Sequence, residues 1–198
     1  MHVIPDSPDG RVRPAEPADA RALAAVHVAT WRDAYAGLLP GEVLASLDAG
    51  AWAARHHGRL TAPAEGTFVL VFEVEGEVAG FVSGGRGRDE LPGGEVYAIY
   101  VDPRRQGRGA GRRLLAAAEQ KLAEAGFTDA SLWVLAGNAP ARGFYEAQGW
   151  HGDGTRKPWP VTESVSVPEV RYVKRIAWEP AELLPLHYSH FNMINVLN

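Results

Sequence analysis

At 198 residues the chain is long enough for one α/β domain with a buried core and too short for two domains of ordinary size. Its hydrophobic fraction of 46% is typical of a globular protein, and its net charge of −4 favours neither nucleic acid nor an acidic membrane surface as a partner. The absence of cysteine excludes disulfides and a cysteine acyl-enzyme, and no apolar run approaches the ~20 residues of a membrane span, so we expect a cytoplasmic protein.

The first part of the chain predicts a short strand, three helices and a β-hairpin. Residues 1–10 carry two prolines and a glycine and predict a loose N-terminal arm. Apolar residues recur at helical spacing over 18–34, and β-branched runs on either side of Glu75-Gly76 predict two paired strands. In chain order, the predicted elements are a strand over 11–14, helices over 18–34, about 41–47 and 50–59, and strands over 67–74 and 77–83. His56 and His57 are expected at the surface.

A segment rich in glycine and arginine, Gly84-Gly85-Arg86-Gly87-Arg88, follows the hairpin. A phosphate-binding loop normally leads into a helix whose first amides bind the anion. No helical pattern follows this segment, and Pro92-Gly93-Gly94 closes it. We therefore predict a hairpin loop over 84–88 rather than a phosphate site.

Residues 101–115 combine a strand end, a short loop dense in glycine and arginine, and the start of a helix. Glycine lets backbone amides approach a ligand closely, and the first amides of a helix have no partner within the helix. Together with the positive end of the helix dipole, they favour a bound anion such as the phosphate of a cofactor. A strand over 95–101 and a helix over 109–126 are predicted on either side of this loop.

Two familiar phosphate loops do not fit this segment. The dinucleotide fingerprint G-x-G-x-x-G fails because neither Gly107 nor Gly109 has a glycine five residues later, and the P-loop fails because no Gly-Lys-Ser or Gly-Lys-Thr is present. The pattern Q/R-x-x-G-x-G/A does fit, with Gln106, Gly109 and Gly111 directly after the strand. It resembles the acetyl-CoA pyrophosphate loop of the GNAT superfamily of N-acetyltransferases.

Two further segments strengthen the resemblance. Residues 138–150 fit the pattern N-x-x-A-x-x-F-Y-x-x-x-G-F/W, which many GNAT proteins carry at this distance after the loop. The matching residues are Asn138, Ala141, Phe144, Tyr145, Gly149 and Trp150. Residues 31–40 resemble the W-x-x-x-Y-x-G-x-L-P segment of one bacterial GNAT group. Asn138 and Gly149 also predict the cap and the end of a helix.

The resemblance implies the GNAT fold, an α/β protein whose central mixed, mostly antiparallel β-sheet splays between strands 4 and 5 and is flanked by helices. Strands predicted over 131–135, about 150–157 and 166–176 complete a GNAT domain over residues 11–176. Residues 1–176 contain one asparagine and residues 191–198 contain three, so we predict a non-native or recently acquired tail over 177–198. A segment exchanged between two copies in a homodimer is the alternative.

The resemblance also implies that acetyl-CoA is the cosubstrate. We predict no metal site, because cysteine is absent and the pair His187 and His190 lacks a third ligand. Pantetheine would lie in the gap of the sheet as a pseudo-strand, against backbone groups of Ile99 and Val101. Asn138 would reach the pantetheine arm, and backbone amides of the loop would bind the pyrophosphate. The loop residues concerned are Gln106, Gly107, Arg108, Gly109, Ala110, Gly111 and Arg112.

Acetyl transfer from a thioester to an amine needs a base for the amine and a proton for the departing thiolate. Because cysteine is absent, direct transfer in a ternary complex is preferred to a covalent relay. The resemblance implies that Tyr145 protonates the leaving sulfur; the alternative is core packing, for which Phe144 is the better candidate. Glu95 at its strand start is a candidate base, acting directly or through water, and the alternative is a solvated turn residue.

Three aromatic residues are candidates for the acceptor pocket. Trp31 and Tyr35 lie four residues apart on a helix, where aromatic core packing is the alternative. Tyr97 shares a strand face with Glu95 and Ile99 by alternation. The expected function is transfer of acetyl from acetyl-CoA to a small primary amine. Acetylation of a protein N-terminus or lysine, and a non-catalytic acetyl-CoA sensor, are the alternatives.

Overall fold

The computed structural model describes residues 10–89, 93–163 and 165–176. The strands are β1 (Arg11–Pro14), β2 (Phe68–Val74), β3 (Glu77–Arg86), β4 (Gly94–Val101), β5 (Asp129–Leu135), β6 (His151–Pro160) and β7 (Ser166–Arg175). The helices are α1 (Ala20–Ala34), α2 (Gly41–Ala45), α3 (Ala49–Thr61), α4 (Ala110–Glu124) and α5 (Ala139–Ala147). The predicted tail over 177–198 and, except for Gly10, the predicted N-terminal arm lie outside the described residues.

The seven strands form one mixed sheet in the order β1-β2-β3-β4-β5-β7-β6. Neighbouring strands are antiparallel except for β4 and β5, which run parallel. These two strands pair only over residues 94–96 and 130–132, so beyond this point the sheet opens into a gap. The predicted fold class, a mixed sheet splayed between strands 4 and 5, is confirmed.

Tyr97 marks the place where the gap opens. In the pairing of β3 with β4, Gly84 lies opposite Val96 and Ser83 lies opposite Ala98, so Tyr97 is the extra residue of a β-bulge. A bulge bends its strand and increases the local twist. The bend begins directly after the last residue of β4 that pairs with β5, and it directs the rest of β4 away from β5.

Two glycines explain why β3 is longer than predicted. The strand includes the first three residues of the segment 84–88, so the predicted hairpin loop is wrong over that part. A Cβ atom at Gly84 would lie 2.7 Å from the Glu95 carbonyl oxygen, and one at Gly85 would lie 2.7 Å from the Tyr97 hydroxyl. These glycines therefore let β4 pack closely against β3 instead of forming a turn.

Helices cover both faces of the sheet. The apolar stripe predicted for α4 is fully buried on one face through Leu114, Leu115, Ala118 and Leu122. The core on the other face joins α1 to the sheet through Leu23, Val26, Val71 and Phe81. None of the helices in the described ranges combines the length and apolarity needed to cross a membrane.

Apart from β3, the predicted element ends are close to those observed, and β6 is the other strand that ends later than predicted. Gly126 and Gly149 follow α4 and α5 with φ angles of 88° and 82°, the left-handed conformation expected after a helix end. β6 continues to Pro160, beyond the predicted end near residue 157. It is the edge strand of the sheet, where the missing amides of Pro158 and Pro160 break no pairing on the open side.

Candidate active site

The gap between β4 and β5 opens into a cleft of about 1230 Å³. Residues of the loop before α4, of the start of α5, and of α1, β6 and β7 line this cleft. Thirteen predicted site residues lie together in its walls, namely Trp31, Tyr35, Tyr97, Ile99, Val101, Gln106, Gly107, Gly109, Ala110, Gly111, Arg112, Asn138 and Tyr145. Glu95 and Arg108 do not line the cleft.

The end of β4 directs peptide groups at the gap. The amide of Asp102 donates to β3 at 2.9 Å, and peptide groups alternate in direction along an antiparallel strand. The peptide groups of Ile99 and Val101 therefore point away from β3. The Val101 carbonyl already accepts hydrogen bonds from the Thr30 hydroxyl and the Gln106 side-chain amide, each at 3.1 Å. The Val101 amide and the Ile99 peptide groups are the ones directed at a ligand in the gap.

The loop between β4 and α4 has the shape of an anion site. Gly107 and Gly109 have φ angles of 73° and 83°, a left-handed conformation that favours glycine. Gly109 is the N-cap of α4, and because it has no side chain it leaves the first amides of the helix uncapped. Ala110 and Gly111 bring these amides to the wall of the cleft. The donors and the helix dipole suit a pyrophosphate group.

The five arginines around this loop have different partners. Arg104 pairs with Asp102 at 2.7 Å, and Arg105 pairs with Glu77 at 2.8 Å. Arg113 lies over the Phe72 ring at 5.0 Å. Arg108 and Arg112 are exposed, and of these two only Arg112 lines the cleft. The ion pairs explain why a dense cluster of arginines in the sequence supplies few cations to the cleft.

Helix α5 brings Asn138 and Tyr145 to the cleft. The Asn138 side-chain oxygen accepts from the Ala141 amide at 3.2 Å, which confirms the predicted cap and leaves the side-chain NH₂ group directed elsewhere. Tyr145 is 8% exposed and Phe144 is only partly buried, so the expectation that Phe144 is the better core residue is wrong. Burial, and then the neighbouring Tyr100, raises the pKa of Tyr145, so its hydroxyl is protonated at neutral pH.

Glu95 is buried beside the cleft and is not a solvated turn residue. Its side chain is 2% exposed, and its carboxylate accepts a hydrogen bond from the Arg88 amide at 2.8 Å. The Arg88 guanidinium pairs with the same carboxylate and stacks on the Tyr97 ring at 4.2 Å. Arg88 thus lies between Glu95 and the cleft that it lines itself. A role for Glu95 in proton transfer would require a route around this guanidinium.

Two aromatic side chains predicted for the acceptor pocket, Trp31 and Tyr35, form a cluster with Trp159 from the edge strand β6. Trp31 and Tyr35 pack edge to face with ring centroids 5.3 Å apart. Trp159 of β6 packs edge to face on Trp31 at 5.5 Å, and all three rings line the cleft. Trp31 also lies 5.1 Å from the His27 ring, so the same side chain packs in the interior and faces the cleft.

His27 and His56 belong to an aromatic cluster between α1 and α3. Both are 5% exposed, and the His27 ring centroid lies 3.8 Å from that of Trp52 and 4.8 Å from that of Tyr100. In the described part of the chain, no hydrogen bond reaches either ring nitrogen of His27 or the Nε2 atom of His56. Burial lowers the pKa of His27 to about 3 and that of His56 to about 4. The predicted surface position of His56 is therefore wrong, whereas His57 is exposed as predicted.

The sequence motifs do not predict several residues of the cleft. These residues are Arg88, Trp133, Lys157, Trp159 and Glu169. Three of them lie on β6 and β7, which reach the cleft only because β7 pairs with β5. Alternation along β6 is the one local signal, since Lys157 and Trp159 are two residues apart and share a face. In the described ranges, no group of three or more His, Asp or Glu side chains could hold a metal ion.

Comparison with known proteins identifies the family. Residues 28–150 match the model of the acetyltransferase (GNAT) family. The chain belongs to the GNAT family. It is therefore an N-acetyltransferase by family, and the resemblance stated from the loop and α5 motifs is confirmed.

Relatives of this GNAT chain extend the match over most of its length. It is 39% identical to an uncharacterized N-acetyltransferase of Bacillus subtilis strain 168, YuaI, over 69% of this chain and 77% of that protein. It is 30% identical to a probable N-acetyltransferase of Mycobacterium tuberculosis, Rv2775, over 82% of this chain and 91% of that protein. The structure of the PaiA N-acetyltransferase from Thermoplasma acidophilum, in complex with coenzyme A, matches with a TM-score of 0.68 at 19% identity, over 84% of this chain and 99% of that one.

Proposed function

We propose that this GNAT enzyme transfers acetyl from acetyl-CoA directly to a small primary amine while both substrates are bound. The observation that carries the proposal is the continuity of the cleft. The uncapped amides of α4, the end of β4 at the gap in the sheet, Tyr145 and the aromatic rings all line this one cleft. They are the kinds of groups that the pyrophosphate, the pantetheine arm, the thioester and an acceptor would each need.

Each group in this path has a defined task. Amides over residues 106–112 would hold the pyrophosphate, with Arg108 and Arg112 adding positive charge. The Ile99 and Val101 peptides and the Asn138 side-chain NH₂ group would bind pantetheine amides and the thioester carbonyl, whose oxygen gains negative charge during transfer. Tyr145, protonated and directed at the cleft, would give its proton to the departing sulfur.

The acceptor would enter from the side of Trp31, Tyr35 and Tyr97. Holding the amine in line with the thioester supplies a large part of the rate enhancement without any covalent step on the protein. A ternary mechanism predicts intersecting lines when initial rates are measured against both substrates. Parallel lines would instead indicate an acetylated enzyme and would contradict the proposal. Glu95 remains a candidate base, acting through water because Arg88 occupies its carboxylate.

We expect the substitution Gly111→Val to weaken acetyl-CoA binding at least about tenfold, or about 1.4 kcal/mol. Gly111 lines the cleft in the first turn of α4, and a Cβ atom there would lie 3.4 Å from the Phe144 ring. Valine would fit the helix but fill the space that the pyrophosphate needs. Calorimetric titration with acetyl-CoA measures the effect.

Gly58→Val is the matched control, because Gly58 is also helical and a Cβ atom there would meet nothing within 4 Å. This variant should bind acetyl-CoA as the wild type does. If folded Gly111→Val protein binds acetyl-CoA with wild-type affinity, the pyrophosphate does not bind at the start of α4.

A further inference from the structure

One face of the sheet beyond the gap carries a group of side chains that the catalytic motifs do not include. Glu169 of β7 lies opposite Leu135 of β5 on one side and opposite Lys157 of β6 on the other. Directly opposed residues share a sheet face, and Trp159 shares it with Lys157 by alternation. All four side chains line the cleft on the side of α1.

The charges on this face are paired, with one exception. Arg88 pairs with Glu95, and Lys157 pairs with Asp89 at 3.4 Å and lies 3.9 Å from the Trp133 ring centroid. No hydrogen bond or ion pair within the described ranges reaches the half-buried carboxylate of Glu169. Arg88 and Lys157 are thus partly neutralised, whereas the half-buried carboxylate of Glu169 is not. Asp33 of α1 also lines the cleft and has no hydrogen bond or ion pair from its side chain in the described ranges, but it is exposed to solvent.

Glu169 lines the same cleft as Tyr35 and as Tyr145, the predicted acid. Burial raises the pKa of Glu169; Lys157 and Arg88 act to lower it, and Asp89 and Glu95 act to raise it. Burial also raises the pKa of Tyr35, to which the charges of Tyr100, Tyr145 and Glu169 contribute in that order. Tyr35 therefore lies within electrostatic reach of both Glu169 and Tyr145, and the carboxylate and the phenol border the same space. Burial raises the pKa of Tyr100, and the charge of Glu169 also acts to raise it.

We propose that Glu169 binds the ammonium group of the acceptor and accepts its proton, and that the acceptor is a primary amine with an apolar body and no acidic group. The proposal rests on the function proposed above and names its substrate class. An unpaired carboxylate in a partly apolar wall is complementary to a cation. The rings of Trp31, Trp159 and Tyr35 suit an apolar body and can lie against a positive charge. An acidic group on the acceptor would be repelled by Glu169 and would meet cations that already have partners.

The proton and electron balance of this reaction closes without any further reagent. The acceptor arrives as R–NH₃⁺ and transfers one proton to the Glu169 carboxylate, which gives R–NH₂ and a carboxylic acid. The nitrogen lone pair then forms a C–N bond to the acetyl carbon, and the C–S bond breaks with its electrons going to sulfur. Sulfur takes the Tyr145 proton, and the phenolate recovers the second proton from nitrogen. Glu169 releases its proton to solvent, so the products are the acetamide, CoASH and H⁺.

The test uses thiol release from acetyl-CoA with two acceptors that differ by one carboxylate, 2-phenylethylamine and L-phenylalanine. We expect the wild type to acetylate 2-phenylethylamine with at least about tenfold higher kcat/KM. The Glu169→Gln variant should lose about 10²-fold or more in kcat/KM for 2-phenylethylamine at neutral pH. Its deficit should shrink as pH rises toward the pKa of the amine, because solvent then delivers the uncharged form.

Glu95→Gln tests the competing base, because it makes the same chemical change at a carboxylate that Arg88 already occupies. It should change kcat/KM by a factor that does not vary with pH. A pH-dependent deficit in Glu95→Gln with a flat ratio in Glu169→Gln would assign the base to Glu95 and overturn the proposal. A preference for L-phenylalanine, or no transfer to 2-phenylethylamine, would overturn the acceptor class.

Acetyl-CoA titration separates this proposal from the one on which it rests. Glu169→Gln should bind acetyl-CoA with wild-type affinity, which also shows that the variant is folded. Wild-type protein that fails to bind acetyl-CoA would contradict the proposed function itself. Wild-type protein that binds acetyl-CoA but shows no role for Glu169 would contradict only the acceptor site.

Discussion

Replacing Tyr145 with phenylalanine is expected to lower kcat by about 10²–10⁴-fold and to leave the Kd for acetyl-CoA nearly unchanged. The substitution removes one hydroxyl and keeps a ring that is 8% exposed, so packing against the core should persist. Burial raises the pKa of this hydroxyl, which keeps it protonated and able to donate at neutral pH. Steady-state kinetics together with calorimetry of acetyl-CoA binding measure the two quantities separately.

Tyr172→Phe provides the control for this experiment. Tyr172 is also buried, but its hydroxyl donates to Glu146 at 2.6 Å and accepts from Arg142 at 3.0 Å. It does not line the cleft. Its loss should lower the free energy of unfolding by about 1 kcal/mol and should leave kcat intact. An undiminished kcat in Tyr145→Phe, with the chemical step shown to limit the rate, would leave Tyr145 with a packing role only.

Acidification is expected to destabilise the protein through His27 and His56. Both have a lowered pKa in the folded state, about 3 and about 4, because they are buried and uncharged there. An unfolded chain binds a proton at each near pH 6.5, so stability is complete above pH 6.5 and falls as the pH drops toward the folded values. Well below pH 6.5 each histidine contributes a slope of about 1.4 kcal/mol per pH unit, so the pair lowers the free energy of unfolding by about 4 kcal/mol between pH 6.5 and 4.5.

Urea unfolding at a series of pH values measures this slope. The variant His56→Phe should lose about half of it, because a phenylalanine ring packs in the same cluster but does not titrate. His57→Gln is the control, since His57 is exposed and its replacement should leave the slope unchanged. A free energy of unfolding that stays constant from pH 6.5 to 4.5 would show that the two imidazoles are hydrated in the folded protein.

The parts of the site that the sequence predicts are those built from contiguous residues. Gly109 is both a cap without a side chain and a residue with positive φ, and both properties follow from the residue type and its place before a helix. The same holds for Asn138, whose cap hydrogen bond depends on residues three positions away. In these segments the local sequence determines the local backbone, and the backbone forms the site.

The side chains that depend on strand pairing could not be predicted in the same way. Glu95 follows two glycines in the sequence, which is typical of a solvent-exposed turn. In the fold its carboxylate is buried and pairs with Arg88. Glu169 carries no motif and reaches the cleft only because β7 pairs with β5 across residues 129–135. Gly84 and Gly85 look like turn residues until the close approach of β4 is known. In each case the contacting residue comes from a distant segment, so the position of the side chain depends on tertiary structure and could not be predicted from the local sequence.

The Val101 carbonyl oxygen has a consequence for how the two substrates influence each other. It accepts from Thr30 of α1 and from Gln106 at the start of the phosphate loop. Thr30 immediately precedes Trp31 on the acceptor side, whereas Gln106 begins the segment assigned to the cosubstrate. One oxygen atom therefore connects α1, which carries the proposed acceptor residue Trp31, to the loop proposed to bind acetyl-CoA. If the proposed sites are occupied, a displacement of the loop by acetyl-CoA would reach the acceptor rings through these two hydrogen bonds, so we expect binding of one substrate to change the affinity for the other.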